Sequence, residues 1–488
     1  MARSKGWRNK KLDYTGREWY EIGAKTKTSP PRTGMELMRS GLRRYFGAGA
    51  ALMIAVMSPA VAHAESVGRT VDEYGSIFVV LGVVATAYLL SYLLLQWLSQ
   101  RYGFVTGVPY IVLGIVAVPV TGWLSPEMMQ TVEPLVALAV AAVALAAGLQ
   151  INAKNLVDRE STTVKLALTV AAVTLVMVVV VPFVGLSRWP PPLEDAIWLP
   201  ALLALGAIAL VADGRPLKAL AAHLELDEDA VDQAGEVAWL STMLAVLIFG
   251  VAFSIYNPGE PWRGGGLDAG LWLVAHLAAG GVFGAVGGAM IQARPDDDRV
   301  LTILVGVVLT AGALAYVTTL SIVFVNFVAG VVLINMSGES LRFRQMLDSA
   351  NSPLYVLLLF FAGTMWTVGL PPWVYAAVAV YLVLRVLGRL LGVAAYRPRL
   401  SGYRPEPGMY RALIAPGALT AAMILDFGFG FGHGQFEAAT IVVSGFVLIL
   451  IAEEVISFVL LRGWLIDISD VGSARHSTSP WGDWKGDR

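Results

Sequence analysis

The chain has 488 residues, of which 56% are apolar and 15% are charged, against roughly 25% charged in an average soluble domain. This composition excludes a soluble globular protein, a disordered chain and a nucleic-acid-binding protein, and it indicates a polytopic membrane protein. The formal net charge of -1 identifies no partner. The sequence has no cysteine, which excludes disulfides, thiolate metal sites and a cysteine nucleophile.

Residues 1–64 are predicted to form a basic leader followed by a signal peptide. The first 34 residues are polar and basic, and an arginine-rich flank then precedes the apolar run Phe46–Val61. Because this run ends in the A-x-A-like sequence Ala62-His63-Ala64, we expect cleavage after Ala64. The alternative is an uncleaved first membrane helix, for which the run is short against the ~20 residues of a span.

Residues 65–461 are predicted to form the transmembrane transporter domain, and 462–488 a short cytoplasmic tail. Apolar segments recur through this domain with short polar breaks, each near the length that a bilayer requires. The predicted spans lie at about 75–98, 107–123, 134–150, 164–186, 196–212, 236–256, 267–291, 299–317, 319–335, 353–370, 372–395, 410–427 and 437–461.

The loops between these thirteen spans alternate in their content of basic residues. One set of loops holds most of the lysines and arginines, whereas the other set holds Arg69, Arg188 and Arg263. The positive-inside rule places the richer set in the cytoplasm, with the N-terminus outside and the C-terminus inside. We therefore expect a multi-pass protein of the bacterial cell (inner) membrane.

Thirteen spans divide into six, one and six, and the single linking span inverts the second half. Two inverted six-helix repeats are typical of many secondary transporters. Spans five and twelve then correspond, and both are interrupted, at Asp213-Gly214-Arg215-Pro216 and at Ala415-Pro416-Gly417-Ala418. Matching broken helices predict a transport site. The alternatives are thirteen spans without symmetry and a simple surface turn at Asp213.

Ionisable residues within spans are the candidate functional residues, because an unpaired charge in lipid is costly. Asp213 closes the fifth span. Arg385 and Arg389 lie one helical turn apart in the eleventh span, and Glu236 is the predicted partner of one of them in an ion pair of the core. The alternative for Arg389 is that its head group extends to the membrane interface.

The remaining polar residues of the spans are expected to have smaller roles. Ser241 and Thr242 are the deep polar groups of span six, and such hydroxyls commonly bond to the preceding helical turn. Asp426 lies near the outer end of span twelve and is expected to be solvated. At least one of the neighbouring residues Glu453 and Glu454 should face protein or a cavity.

No Walker motif, haem-ligand pair, HExxH or GxSxG occurs in the sequence. We therefore expect neither an ATP-driven pump nor an enzyme, and no cofactor or metal centre.

A series of short motifs follows the order found in one family of transporters. They are Val108-Pro109-Tyr110-Ile111-Val112-Leu113-Gly114-Ile115 with Pro119, Ala147-Gly148-Leu149-Gln150, Gly206 to Asp213, Leu320-Ser321 with Phe327-Val328-Ala329-Gly330, Phe360-Phe361 with Gly363, Arg385 with Arg389, and Arg411 with Pro416-Gly417-Ala418-Leu419. With these motifs, spans two to twelve resemble the monovalent cation–proton antiporter superfamily, the sodium/proton and potassium/proton exchangers. The resemblance implies an all-α homodimer in the lipid bilayer, with a scaffold and a moving core that contains two crossed, broken helices.

The resemblance also implies exchange of a proton for a monovalent cation, Na⁺ or K⁺. Asp213 is the expected ion-binding carboxylate, at which cation and proton compete, and Ser241 and Thr242 are expected to supply neutral oxygen ligands. One departure from the family is notable, since Ser241 stands where the sixth helix usually carries an ion-binding Asp, and Ala212 replaces a threonine. Two alternatives therefore stay open: a transporter-like protein that no longer exchanges ions and serves as a sensor or assembly partner, and a carrier of another small solute such as an organic anion.

Overall fold

The computed structural model of the protein consists mainly of apolar helices, both long and short. The structure describes Gly82 and residues 107–120, 126–153, 161–186, 195–223, 228–256, 266–292, 297–337, 353–396, 408–432 and 437–477. All of them belong to one compact unit, Gly75–Arg488. The predicted leader and signal peptide, and all of the predicted first span except Gly82, lie outside the described residues.

Each predicted span from the second to the thirteenth contains a helix. The helices are α1 (Val108–Ile115), α2 (Pro126–Gly148), α3 (Ser161–Leu175), α4 (Val181–Leu186), α5 (Asp195–Leu210), α6 (Gly214–His223), α7 (Glu228–Ile255), α8 (Gly266–Gln292), α9 (Asp297–Val317), α10 (Ile322–Ser337), α11 (Pro353–Thr364), α12 (Pro372–Ala395), α13 (Ala418–Gly432) and α14 (Glu437–Ser477). A π-helical segment, Val116–Val120, extends α1, and another, Val176–Val180, joins α3 to α4. The last helix continues to Ser477, well into the segment predicted as a polar tail.

Within the described residues, seven helical segments are long and apolar enough to cross a membrane, with α3 and α4 counted together. They comprise α2, α3–α4, α7, α8, α9, α12 and α14. Helices α1, α5, α10, α11 and α13 are apolar but shorter. The architecture is thus an all-α polytopic membrane fold, as predicted, whereas the count of thirteen spans is not confirmed.

The two predicted interruptions are present, and they explain why α5 and α13 are short. Helix α5 ends at Leu210, and the chain is non-helical over residues 211–213 before α6 begins at Gly214. A 3₁₀ helix, Met409–Leu413, is likewise separated from α13 by residues 414–417. Proline and glycine favour such breaks, because proline lacks an N–H group and glycine adopts conformations that other residues avoid.

Glycines allow α2 and α10 to approach closely. A Cβ atom on Gly330 would lie 2.9 Å from the backbone nitrogen of Leu149 and 3.0 Å from Cα of Gly148. The motifs Ala147-Gly148-Leu149-Gln150 and Phe327-Val328-Ala329-Gly330 therefore meet where α2 contacts α10. Close contact through small residues is the usual way in which membrane helices associate, since lipid provides little hydrophobic force between them.

We expect Gly330→Ala to destabilise the protein by about 1–3 kcal/mol, because the added methyl group would have to displace the backbone of α2. The measurement is the melting temperature of the purified protein in detergent. Gly281→Ala in α8 is the matched control, since a Cβ atom there meets nothing within 4 Å. Equal melting temperatures for the two variants would contradict this packing.

Candidate functional site

The two interrupted helices cross and touch at their breaks. The backbone N–H of Asp213 donates to the carbonyl oxygen of Ala415 at 2.9 Å. A Cβ atom on Gly417 would lie 2.8 Å from both Cβ and Oδ2 of Asp213, so glycine is required there. The two breaks are therefore in contact, and Asp213 lies at this contact, the crossing.

The carboxylate of Asp213 is held by Arg215. Nε of Arg215 lies 3.0 Å from each carboxylate oxygen, and Nη2 lies 2.6 Å from Oδ2. The backbone N–H of Arg215 also donates to Oδ1 at 2.9 Å, at the start of α6. The side chain of Asp213 is 14% exposed, whereas that of Arg215 is 49% exposed. This ion pair was not foreseen, although Arg215 belongs to the motif that marks the break.

Thr242 lies beside the break in α5 and bonds to it. Its hydroxyl donates to the carbonyl oxygens of Ala212 and Ala238, at 3.0 and 2.9 Å, and the N–H of Ala212 donates to it at 3.0 Å. The single hydroxyl proton of Thr242 is thus shared between the carbonyl of the broken segment and that of the preceding helical turn, while its oxygen accepts from Ala212. A role as a cation ligand remains a prediction.

Arg385 joins the two breaks. Its Nη2 donates to the carbonyl oxygens of Val211 and Ile414, at 2.9 and 3.2 Å. Carbonyl groups at a helix end lack a partner within the helix, and burying them without a hydrogen bond is costly. The buried guanidinium of Arg385 thus supplies a hydrogen bond to a carbonyl group at each of the two breaks.

Arg389 bonds to the last turn of α5. Its Nη2 donates to the carbonyl oxygens of Ala209 and Leu210, at 3.0 and 2.7 Å, and its Nη1 donates to the hydroxyl of Ser241 at 3.4 Å. The negative end of the α5 dipole favours a cation there. Arg389 is fully buried, so the alternative in which its head group extends to the interface is wrong. Ser241, a predicted ligand, faces this arginine.

The ion-pair partner of Arg385 is Glu453, not Glu236 as the sequence suggested. Glu453 is fully buried and also accepts a hydrogen bond from the hydroxyl of Tyr381 at 3.0 Å. The prediction failed because it sought an acid in span six, whereas α12 also packs along α14. Among the described contacts of Arg389 there is no carboxylate either.

Glu454, the next residue of α14, points to a different set of neighbours. It accepts hydrogen bonds from the backbone N–H of Gly107, at 2.8 Å, and from the hydroxyl of Tyr355. Its side chain is buried. Both acids of this pair therefore face protein.

Asp426 is buried, so the expectation that it is solvated is wrong. It accepts hydrogen bonds from the hydroxyl of Ser321 at 2.6 Å and from the N–H groups of Ile322 and Val323 at 3.0 and 3.1 Å. The N–H groups at the N-terminus of α10 have no partner within the helix, and a negatively charged side chain stabilises that end. Ser321 caps the same helix end locally, because its hydroxyl accepts a hydrogen bond from the N–H of Phe324 at 3.1 Å.

A cavity of about 530 Å³ lies between α2, α11 and α13 and the π-helical end of α1. Its wall includes Glu133, Gln130 and Thr364 among mostly apolar side chains. Leu425 and Phe429 line it too, and they lie about two to three helical turns beyond the break at the start of α13. The cavity is therefore separated from Asp213 by the crossing and the first turns of α13.

We expect Glu453→Ala to destabilise the protein by about 3–5 kcal/mol, because it leaves the guanidinium of Arg385 buried without its counter-charge. The melting temperature in detergent is the measurement. Asp232→Ala is the matched control, since it breaks an exposed ion pair with Lys218 and should cost less than about 1 kcal/mol. A smaller effect at Glu453 than at Asp232 would contradict the role of this pair.

Two solved structures of the sodium proton antiporter MjNhaP1 from Methanocaldococcus jannaschii are similar to this chain. The structure at pH 8 matches with a TM-score of 0.57 and 13% sequence identity, covering 79% of this chain and 99% of that one. A structure from an electron-microscopy map matches with a TM-score of 0.55 and 13% identity, covering 84% and 99%. The sequence matches no protein-family model and no curated protein. The chain thus has the fold of these two sodium proton antiporter structures.

Proposed function

We propose that the protein is a secondary active transporter, rather than an enzyme, and that it exchanges protons for a monovalent cation, Na⁺ or K⁺, across a membrane. The observation that supports this most directly is the position of Asp213 at the contact between two broken helices. A partly exposed carboxylate at such a junction can bind a small cation, and the neighbouring backbone can move with it. The similar MjNhaP1 structures are described as a sodium proton antiporter, which agrees with the proposal.

In this proposal Asp213 is the carboxylate that binds the transported cation. The carbonyl groups at the ends of the breaks are bonded to Arg385 and Arg389, so these arginines hold the crossing together and do not bind cargo. The ion pair with Arg215 is partly exposed and therefore weak, so a cation can displace it. Thr242 and carbonyl groups near Asp213 would complete the coordination.

Access to the crossing from two sides would give alternating transport. Arg215 is exposed where α6 begins, and the 530 Å³ cavity lies further along α13, beyond the break. Rocking of the crossed helices against the remaining helices would open one route as it closes the other.

We also propose the arrangement in the membrane that the sequence suggested. The chain would lie in a bacterial inner membrane as a homodimer, with its N-terminus outside, its C-terminus in the cytoplasm and its two halves related as inverted repeats. The support for this is the distribution of basic residues among the loops.

A second candidate function is a transporter-like protein that no longer exchanges ions. The ion pair between Asp213 and Arg215 favours it, because the cation site is occupied by the protein's own side chain. A carrier of organic anions is less well supported, since Arg385 is buried and paired with Glu453.

We expect Asp213→Asn to abolish transport in vesicles reconstituted with the full chain, because the amide cannot neutralise a cation. The measurements are the pH change driven by a Na⁺ or K⁺ gradient and the counterflow of labelled cation at equal concentrations. Asp232→Asn, an exposed acid of α7, should leave both fluxes unchanged. Full activity of Asp213→Asn would refute the assignment, and an inactive wild-type protein would favour the non-transporting alternative.

We expect Arg215→Gln to lower the cation concentration at half-maximal counterflow by about two- to fivefold, because an exposed ion pair contributes at most about 1 kcal/mol. Lys218→Gln, which removes another exposed cation of α6, is the control and should leave this concentration unchanged. A higher half-saturation concentration in Arg215→Gln would mean that this arginine assists binding instead of competing with the cation.

A further inference from the structure

The carboxylates near the crossing differ in the charge of their partners. Asp213 is neutralised by Arg215, and Glu453 is neutralised by Arg385. Within the part of the chain that the structure describes, Glu454 instead contacts two neutral donors, the N–H of Gly107 and the hydroxyl of Tyr355. A buried carboxylate without a counter-charge is costly when ionised, and a proton removes that cost.

The helix that carries Glu454 also contacts the helices of the proposed cation site. Helix α14 packs against α5 and α6, the two helices that flank Asp213. Tyr355 from α11 bonds to Glu454, and the break that carries Asp213 lies between the two helices that α14 contacts. Arg385 and Tyr381, both on α12, face Glu453.

We propose that Glu454 carries the exchanged proton, while Asp213 binds the cation, and that Arg215 is the positive charge shared between them. This rests on the proposed exchange function. In the first state Arg215 pairs with Asp213, and Glu454 is protonated. In the second state a cation occupies Asp213, Arg215 is released towards Glu454, and the proton has left. One cation enters as one proton leaves, so the net charge of the site is the same in both states.

The tyrosine hydroxyl and the glycine N–H fit this role. Both donate to the carboxylate and so lower the cost of its ionised form, but neither supplies a full charge. Arg215 is half exposed and can move without breaking a packed interior. The position of Arg215 therefore determines which acid needs a ligand. When Arg215 pairs with Asp213, Glu454 needs a proton, and when Arg215 is released towards Glu454, Asp213 needs a cation.

A purely structural role for Glu454 is to anchor the start of α1 by accepting the hydrogen bond of Gly107. Glu454→Gln separates the two roles, since the amide oxygen still accepts that bond but the group cannot release a proton. Tyr355→Phe is the companion variant, because it keeps the titrating acid and removes one donor to its ionised form.

The experiment uses the full chain in vesicles, with the cation-driven pH change and the labelled-cation counterflow measured for each variant. For Glu454→Gln we expect the pH change to fall by at least about tenfold, while counterflow continues and loses its dependence on pH. For Tyr355→Phe we expect coupling to persist and the pH of half-maximal counterflow to rise, because the ionised carboxylate is less well stabilised.

A wild-type pH change in folded Glu454→Gln would overturn the inference. If that variant fails to fold, as judged by its melting temperature, Tyr355→Phe decides, and an unchanged pH profile overturns the inference. The exchange function itself fails under a different result, namely a wild-type protein with no cation-driven pH change. Asp213→Asn should lose counterflow as well as coupling, which distinguishes the cation site from the proton site.

Discussion

The guanidinium of Arg385 is the contact on which the crossing depends. Two helix ends meet in the interior, each with carbonyl groups that lack helical partners, and one side chain bonds to both. Such a cation could not stay buried alone, and Glu453 of the last helix supplies its counter-charge. The break in α5, the break before α13 and the middle of α14 are thereby joined through α12.

This arrangement divides the charged residues of the core into two groups with different freedom. Arg385, Arg389 and Glu453 are fully buried and bonded to backbone or to each other, so they are structural. Asp213 and Arg215 are partly exposed at the edge of the same crossing, and their pairing can change. The transport function that we propose therefore lies with the partly exposed pair, and the arginines that looked most unusual in the sequence stabilise the fold instead.

The sequence predicted the fold well where backbone chemistry leaves a local signal. Apolar runs located the helices, and the proline and glycine at residues 416 and 417 located a break. The partners of charged residues were harder to predict, because they depend on which helices are neighbours. Arg385 pairs with an acid distant in the chain, and Asp426 caps a helix that precedes it by about a hundred residues. Nothing local distinguishes a buried acid of this kind from a solvated one.

The hydrogen bond between Gly107 and Glu454 has a consequence for biosynthesis, because it joins residues 347 positions apart. The N-terminal end of α1 leaves the ribosome long before α14 is made. Its buried anchor is therefore absent until nearly the whole polypeptide has been inserted, and contacts of such long range are slow to form. The start of α1 therefore gains this hydrogen bond only after α14 has been synthesised.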